Sequence, residues 1–154
     1  MARIDESRPF IAVNIAVLTV SDTRTPKEDK SGATLEKLLT EAGHNLAERT
    51  IVKDDVETIR ATVKGWIDDP QVDVVITTGG TGFTGRDVTP EAIRPLFEKE
   101  IEGFSTVFHM LSYEKVGTST IQSRACGGVA KGTYIFCVPG SPGACKDAWT
   151  AILQ

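Results

Sequence analysis

The chain is short of the residues from which several kinds of protein are built. Its 154 residues include three cysteines and two histidines. Cys126, Cys137 and Cys145 are odd in number and widely spaced, matching neither a disulfide framework nor the CxxC spacing of zinc and redox sites. His44 and His109 lie far apart with no H-E-x-x-H, which removes zinc hydrolysis, and no G-x-S-x-G elbow marks an acyl-transfer serine. Long apolar runs are absent too. The most apolar stretch, residues 11–20, contains Asn14 and falls well short of the roughly 20 residues that span a bilayer. Asp5 and Glu6 stand where a signal peptide would be apolar, and unpaired thiols suit a reducing compartment, so a cytoplasmic location is expected. Positive charge is not in surplus either. Seventeen Lys and Arg against 21 Asp and Glu leave a formal charge of −4, which argues against a long polyanion-binding surface.

What remains is an ordinary one-domain composition, 40% hydrophobic and 25% charged. A chain of this length buries about 68–70% of its unfolded surface and needs no disulfide or metal staple. No internal repeat or low-complexity tract interrupts it. Residues 14–20 read as a strand buried on both faces, because apolar residues run without polar alternation. Leu35, Leu38, Leu39 and Ala42 then keep helical spacing, with Ser31 or Asp29 placed to cap that helix and Gly43 to end it. Residues 46–52 form a second strand. Ile59, Val63, Trp66 and Ile67 mark a second helix, capped by Asp54 or Asp55.

A third strand covers 72–78 and stops at a glycine cluster. Thr89-Pro90 reads as an N-cap followed by a favoured first-turn proline, and Pro95 breaks that helix within six residues. A helix over about 105–115 presents Val107, Phe108 and Leu111. Lys131-Gly132 makes a turn, residues 134–138 make the last strand, and a final helix buries Cys145, Ala148, Trp149 and Ile152. Strands alternating with helices imply a mostly parallel sheet covered on both faces. Ligands in such sheets sit beyond the carboxyl ends of the strands. Here those ends are residues 21–22, 53–55, 77–87 and 139–144.

The segment TTGGTGFTGRD, 77–87, carries the strongest local signal. Glycines let backbone N–H groups approach an anion closely, and the threonines add hydroxyl donors. A bare strand-to-helix turn also uses glycines, but four within seven residues exceed its needs, which favours phosphate binding. Gly80, Gly82 and Gly85 satisfy G-x-G-x-x-G, yet no helix opens directly on them, so the dinucleotide reading fails in context. Residues 139–144, PGSPGA, are explained by Ser141 as N-cap and Pro142 in the first turn, although such a helix start also favours anions. Asp22, Asp54 and Asp87 each follow a strand or the glycine loop. Any one alone reads as a helix or turn cap; three around one loop suit Mg²⁺ held jointly with substrate phosphates.

The combination of VLTVSD (17–22), ITTGGTG (76–82), DVTPEA (87–92), QSR (122–124) and VPGSP (138–142) resembles the MoaB/MogA family of molybdenum-cofactor biosynthesis proteins. EGF (102–104) and GTS (117–119) favour the MoaB branch. The resemblance implies a three-layer αβα sandwich with a mostly parallel central sheet: an N-terminal extension over 1–13, then one molybdopterin-binding α/β domain over 14–154. It implies a nucleotidyltransferase that moves AMP from Mg-ATP to the phosphate of molybdopterin and releases pyrophosphate. The alternative is a carrier that binds molybdopterin without chemistry.

By the same resemblance the catalytic aspartates fall on Asp54 and Asp87, which would also hold Mg²⁺. The phosphate loop falls on Thr78, Gly79, Gly80, Thr81 and Gly82. Ser21, Asp22, Ser123, Arg124, Pro139, Gly140, Ser141 and Pro142 match segments lining the substrate site. Thr78, Thr81 and Ser141 would orient substrate, and Arg124 would offer a phosphate a forked contact. A homo-oligomer, trimer or hexamer, and contact with other enzymes of the pathway are implied as well.

Overall fold

The computed structural model describes residues 5–154. Strand β1, Asn14–Val20, is buried along nearly its whole length, and its alternate side chains feed two separate cores. Ala16, Leu18 and Val20 enter one core; Ile15 and Val17 enter the other. A strand serving two cores has no solvent face, which is why its sequence lacks polar alternation.

Helix α1, Lys30–Glu41, follows. Asp29 rather than Ser31 caps it, accepting from the Gly32 N–H at 2.9 Å. Ser31 lies inside the first turn and donates its hydroxyl proton to the Gly140 carbonyl at 3.0 Å. Leu35 and Leu39, one turn apart, pack into the second core. The chain returns as β2, Asn45–Val52, parallel to β1. Helix α2, Val56–Ile67, is capped by Asp55 and packs Ile59, Val63, Trp66 and Ile67 into the first core. Trp66 donates its indole N–H to Glu48 of β2 at 2.7 Å. Strand β3, Val74–Thr78, then runs parallel to β1 on the side away from β2.

The remaining elements complete the sheet. Helix α3, Thr89–Ile93, ends in a 3-10 turn over Arg94–Leu96, as Pro95 requires. Thr89 is not its cap. It occupies the first helical position and donates its buried hydroxyl proton to the Gly79 carbonyl at 2.9 Å. After the two-residue strand β4, Lys99–Glu100, helix α4 covers Glu102–Val116, three residues earlier than its pattern suggested. It buries Phe104 and Phe108 and leaves Val107 exposed. A 3-10 segment, Gly117–Gln122, leads to β5, Cys126–Ala130. Strand β6, Thr133–Val138, is joined to β5 through Lys131 and Gly132, both at positive φ. Helix α5, Pro142–Ala148, is capped by Ser141 and runs into a π-helical turn.

The sheet order is β2-β1-β3-β6-β5-β4. β2, β1, β3 and β6 are parallel, while β5 runs antiparallel to β6 and β4. Helices α2 and α3 cover one face; α1, α4 and α5 cover the other. The domain is therefore a three-layer αβα sandwich. Chain direction across the sheet reverses between β1 and β3, which makes their carboxyl ends the topological switch point. All three cysteines are free and buried, and among the described residues no helix is long and apolar enough to cross a membrane.

Candidate functional site

At the switch point a cleft of about 480 Å³ opens over the ends of β1, β3 and β6. The end of β1 supplies Ser21 and Asp22. The Ser21 N–H donates to the Val52 carbonyl at 2.8 Å, so β1 and β2 remain paired to the rim. Asp22 then accepts from the Asp54 N–H at 3.0 Å, which brings the residue following β2 across to the cleft.

Beyond β3 the backbone turns sharply at Gly79 and Gly80, with φ of +100° and +68°. A side chain at Gly79 would begin 2.3 Å from the Val20 carbonyl oxygen. One at Gly140 would begin 3.0 Å from Gly79 Cα. Strand ends β1, β3 and β6 thus meet backbone to backbone, and only glycine permits the approach.

Two carboxylates flank the turn. Asp54 Oδ1 lies 3.2 Å from where a Gly80 side chain would start, and Asp87 Oδ2 lies 2.8 Å from the same point on Gly82. Asp87 is held by Thr84, whose N–H and hydroxyl donate to Oδ2 at 3.0 and 2.6 Å. The Thr84 hydroxyl, with Arg124 nearby, holds the Asp87 carboxyl below its ordinary range despite partial burial. Asp54 is in the opposite condition. Burial first, then the charges of Asp22 and Asp87, push its carboxyl upward, with Arg86 opposing. An anionic, partly dehydrated pocket of this kind suits a hard cation. Among the described residues there is no cluster of three or more metal-ligating side chains. The donor set therefore fits Mg²⁺ held by one or two carboxylates together with ligand phosphates, not an all-protein cage.

Ser21, Asp22, Asp54, Gly79, Gly80, Thr81, Gly82, Asp87, Ser123, Pro139 and Gly140 all line this one cleft. Four other candidates do not. Thr78 is buried, and its hydroxyl donates to the Pro139 carbonyl at 2.9 Å, tying β3 to the loop after β6 rather than orienting substrate. Ser141 accepts from the Ala144 N–H at 3.1 Å as the α5 cap. It lines an adjoining cleft that shares Ser123 and Pro139 with the first. Pro142 is the first residue of α5.

Arg124 does not line the cleft. Its two terminal nitrogens grip both Glu91 oxygens at 2.6 and 3.0 Å. Nε donates to the Thr81 carbonyl at 3.0 Å and a terminal nitrogen to the Asp87 carbonyl at 3.0 Å. The Phe83 ring lies under the guanidinium, 5.4 Å away. Arg124 is the clamp of the glycine loop, and its fork is already spent on Glu91.

Four contributors went unread in the sequence: Arg24, Thr84, Arg86 and Glu91. Arg24 lines the cleft and donates to Ser31 Oγ at 3.2 Å and the Gly140 carbonyl at 3.1 Å. Arg86 pairs with Asp22 at 3.2 Å. The TGRD stretch itself could have flagged Thr84 and Arg86, since both flank Asp87 in the loop.

A doubly wound αβα domain with a glycine turn and carboxylates lining a cleft at its switch point belongs to the class of open-sheet α/β proteins whose ligand sites lie at that place in the fold. The comparison with known families is more specific. The family described as a probable molybdopterin binding domain matches residues 16–154, and the chain belongs to it. The molybdenum cofactor biosynthesis protein B of Escherichia coli (strain K12) is 51% identical over 147 residues, covering 96% of this chain and 86% of that protein. Its counterpart in Bacillus subtilis is 48% identical over 142 residues, covering 92% and 84%. A crystal structure of a molybdenum cofactor biosynthesis protein B superposes with a TM-score of 0.91 at 45% identity, covering 95% and 91%. MoaB of Pyrococcus furiosus, described as a tungsten cofactor synthesizing protein, gives 0.83 at 38%, covering 92% and 91%. A MogA structure also gives 0.83, but at 26% identity. The chain accordingly falls on the MoaB side of its family.

Proposed function

We propose that this protein acts in molybdenum cofactor biosynthesis as a molybdopterin adenylyltransferase, joining AMP from Mg-ATP to the molybdopterin phosphate. The observation that carries the reading is the approach of Asp54 and Asp87 to the glycine turn from its two ends. In the reaction, an oxygen of the molybdopterin phosphate attacks the α-phosphorus of ATP. A new P–O bond forms, the bond to the bridging oxygen of the β-phosphate breaks, and pyrophosphate leaves. The attacking oxygen is already ionised at neutral pH, so no general base is required. What the protein must supply is alignment and compensation of charge.

The Gly79 N–H is taken by the Val138 carbonyl at 3.1 Å and that of Gly82 by the Asp87 carboxylate. The backbone N–H groups of Gly80 and Thr81 cradle phosphate oxygens, while Asp54 and Asp87 would hold Mg²⁺. When bound, that ion neutralises charge on the polyphosphate. Thr81 and Ser123 contact substrate within the cleft, and the adjoining cleft that contains Ser141 accommodates the rest of the acceptor. Arg24 and Arg124 keep the loops in place.

The test is incubation of the protein with Mg-ATP and molybdopterin, followed by detection of adenylylated pterin and pyrophosphate. Asp87→Asn should keep its circular dichroism spectrum and lose about 10²-fold or more in rate. Turnover of Asp87→Asn at the wild-type rate would remove Asp87 from the mechanism. Pterin binding with no ATP-dependent product would identify a carrier instead.

A further inference from the structure

Arg24 and Arg86 line the cleft and Arg124 clamps the glycine loop behind it, and the three differ in how fully they are occupied. Arg24 is committed to Ser31 and the Gly140 carbonyl. Arg124 is committed to Glu91 and to two carbonyls of the glycine loop. Arg86 is the exception. Among the described residues its one polar partner is Asp22, through a single terminal nitrogen at 3.2 Å, and its side chain is 80% exposed. A contact of that kind, in water, holds its partners weakly.

The backbone carrying Arg86 is an exposed turn, closed by the Asp87 N–H donating to the Thr84 carbonyl at 3.0 Å. Residues 83–86 are exposed in a row, and Gly85 has nothing within 4 Å of where a side chain would begin. The guanidinium nevertheless reaches back over the cleft rim to a carboxylate at the end of β1. It is placed across the opening, next to Asp22, Asp54 and Asp87, which line the cleft.

We propose that Arg86 is the phosphate-binding cation of this cleft, exchanging its contact with Asp22 for a forked contact with the pyrophosphate portion of the nucleotide. The inference rests on the adenylyl-transfer reading and assigns to Arg86 the role that Arg124 cannot take. A fork with five donors and one weak partner is free to grip two oxygens of a phosphate. Its place on an exposed loop tip suits the end of the nucleotide that must depart. Asp22 serves meanwhile as a resting partner, keeping the guanidinium near the cleft before an anion arrives.

The experiment is calorimetric titration of inorganic pyrophosphate in the presence of Mg²⁺, with ATP titrated in parallel. Arg86→Ala should weaken pyrophosphate binding about tenfold or more. Its melting temperature should stay within about 1 °C of wild type, because an exposed ion pair contributes little to stability. Arg86→Lys should recover part of the affinity, since lysine keeps the charge and loses the fork. Lys64→Ala, on the exposed side of α2, removes the same unit of charge away from the cleft and should leave binding unchanged. In turnover, KM for ATP should rise in Arg86→Ala more than kcat falls. Wild-type protein that binds pyrophosphate, with Arg86→Ala matching it within about twofold, overturns the role of Arg86 alone. Wild-type protein that binds neither pyrophosphate nor ATP overturns the adenylyl-transfer reading and this inference with it.

Discussion

Gly79→Ala is the substitution that most directly probes how the cleft is built. Gly79 has φ of +100°, and its missing side chain would sit 2.3 Å from the Val20 carbonyl oxygen. An L-residue in left-handed backbone costs roughly 1–2 kcal/mol. The overlap adds about 1–3 kcal/mol, as overpacking does elsewhere, because the obstacle is backbone of the central strand β1 and cannot rotate aside. Together these give a loss of about 2–5 kcal/mol from a total of about 5–15 kcal/mol. At about 2–4 °C per kcal/mol for a domain of this size, the melting temperature should fall by roughly 4–20 °C.

Gly85→Ala provides the control in the same loop. Its φ is not positive and its surroundings are open, so it should be neutral or gain about 0.4–1 kcal/mol. Urea unfolding with an unchanged m-value measures both variants. A Gly79→Ala protein within about 1 kcal/mol of wild type would refute the steric account of the strand-end junction.

Three further perturbations test other parts of the molecule. Arg124→Ala should lower stability by about 1–3 kcal/mol, mostly through the two loop carbonyls it leaves without a donor, because half-exposed Glu91 is readily rehydrated. Hydrogen exchange should speed up at residues 81–87, and unchanged protection there would contradict the clamp. Asp29→Ala should cost about 3–5 kcal/mol by urea denaturation. Asp29 is fully buried, caps α1 and accepts from Thr19 and Arg49 at 2.7 and 3.2 Å; a loss under about 1 kcal/mol would show those contacts to be redundant. Burial pushes the Cys145 thiol from 9.0 to about 11, so the folded form holds its proton where the unfolded form has lost it. That stability is complete below pH 9 and is lost as pH rises through about 11, by up to about 2–3 kcal/mol. Cys145→Ala should be flatter than wild type across that window, and parallel curves would rule out the thiol as the source.

The parallel half of the sheet could be read from residue order because β1 and β3 are buried almost throughout and β6 is largely buried after the exposed Tyr134, so β-branched and apolar residues run together in them. Strand β4 could not. Lys99 and Glu100 are exposed, and they form a strand only because β5 lies beside them. Strand β5 contains two adjacent glycines and shows no periodicity of its own. For the site, Asp54, Asp87 and the glycine turn were legible because each follows a strand, and the topology brings strand ends together. Side-chain commitments were not. Thr89 has the local form of a cap, yet its hydroxyl goes to Gly79, ten residues away. The partners of Arg124 lie 33 to 43 residues upstream, and nothing near position 124 announces them.

The meeting of three strand ends at Gly79 and Gly140 has a thermodynamic consequence. Residues 22, 54, 87, 123 and 140 face one another only after every parallel crossover is complete, so no fragment of the chain contains a working cleft. Occupancy is therefore linked to global unfolding rather than to fraying of a single loop. A ligand at a hundred times its Kd would raise the stability of the whole domain by about 2.7 kcal/mol. That gain should register in the slowest-exchanging amides of β1 and β3, the strands that form the floor beneath it.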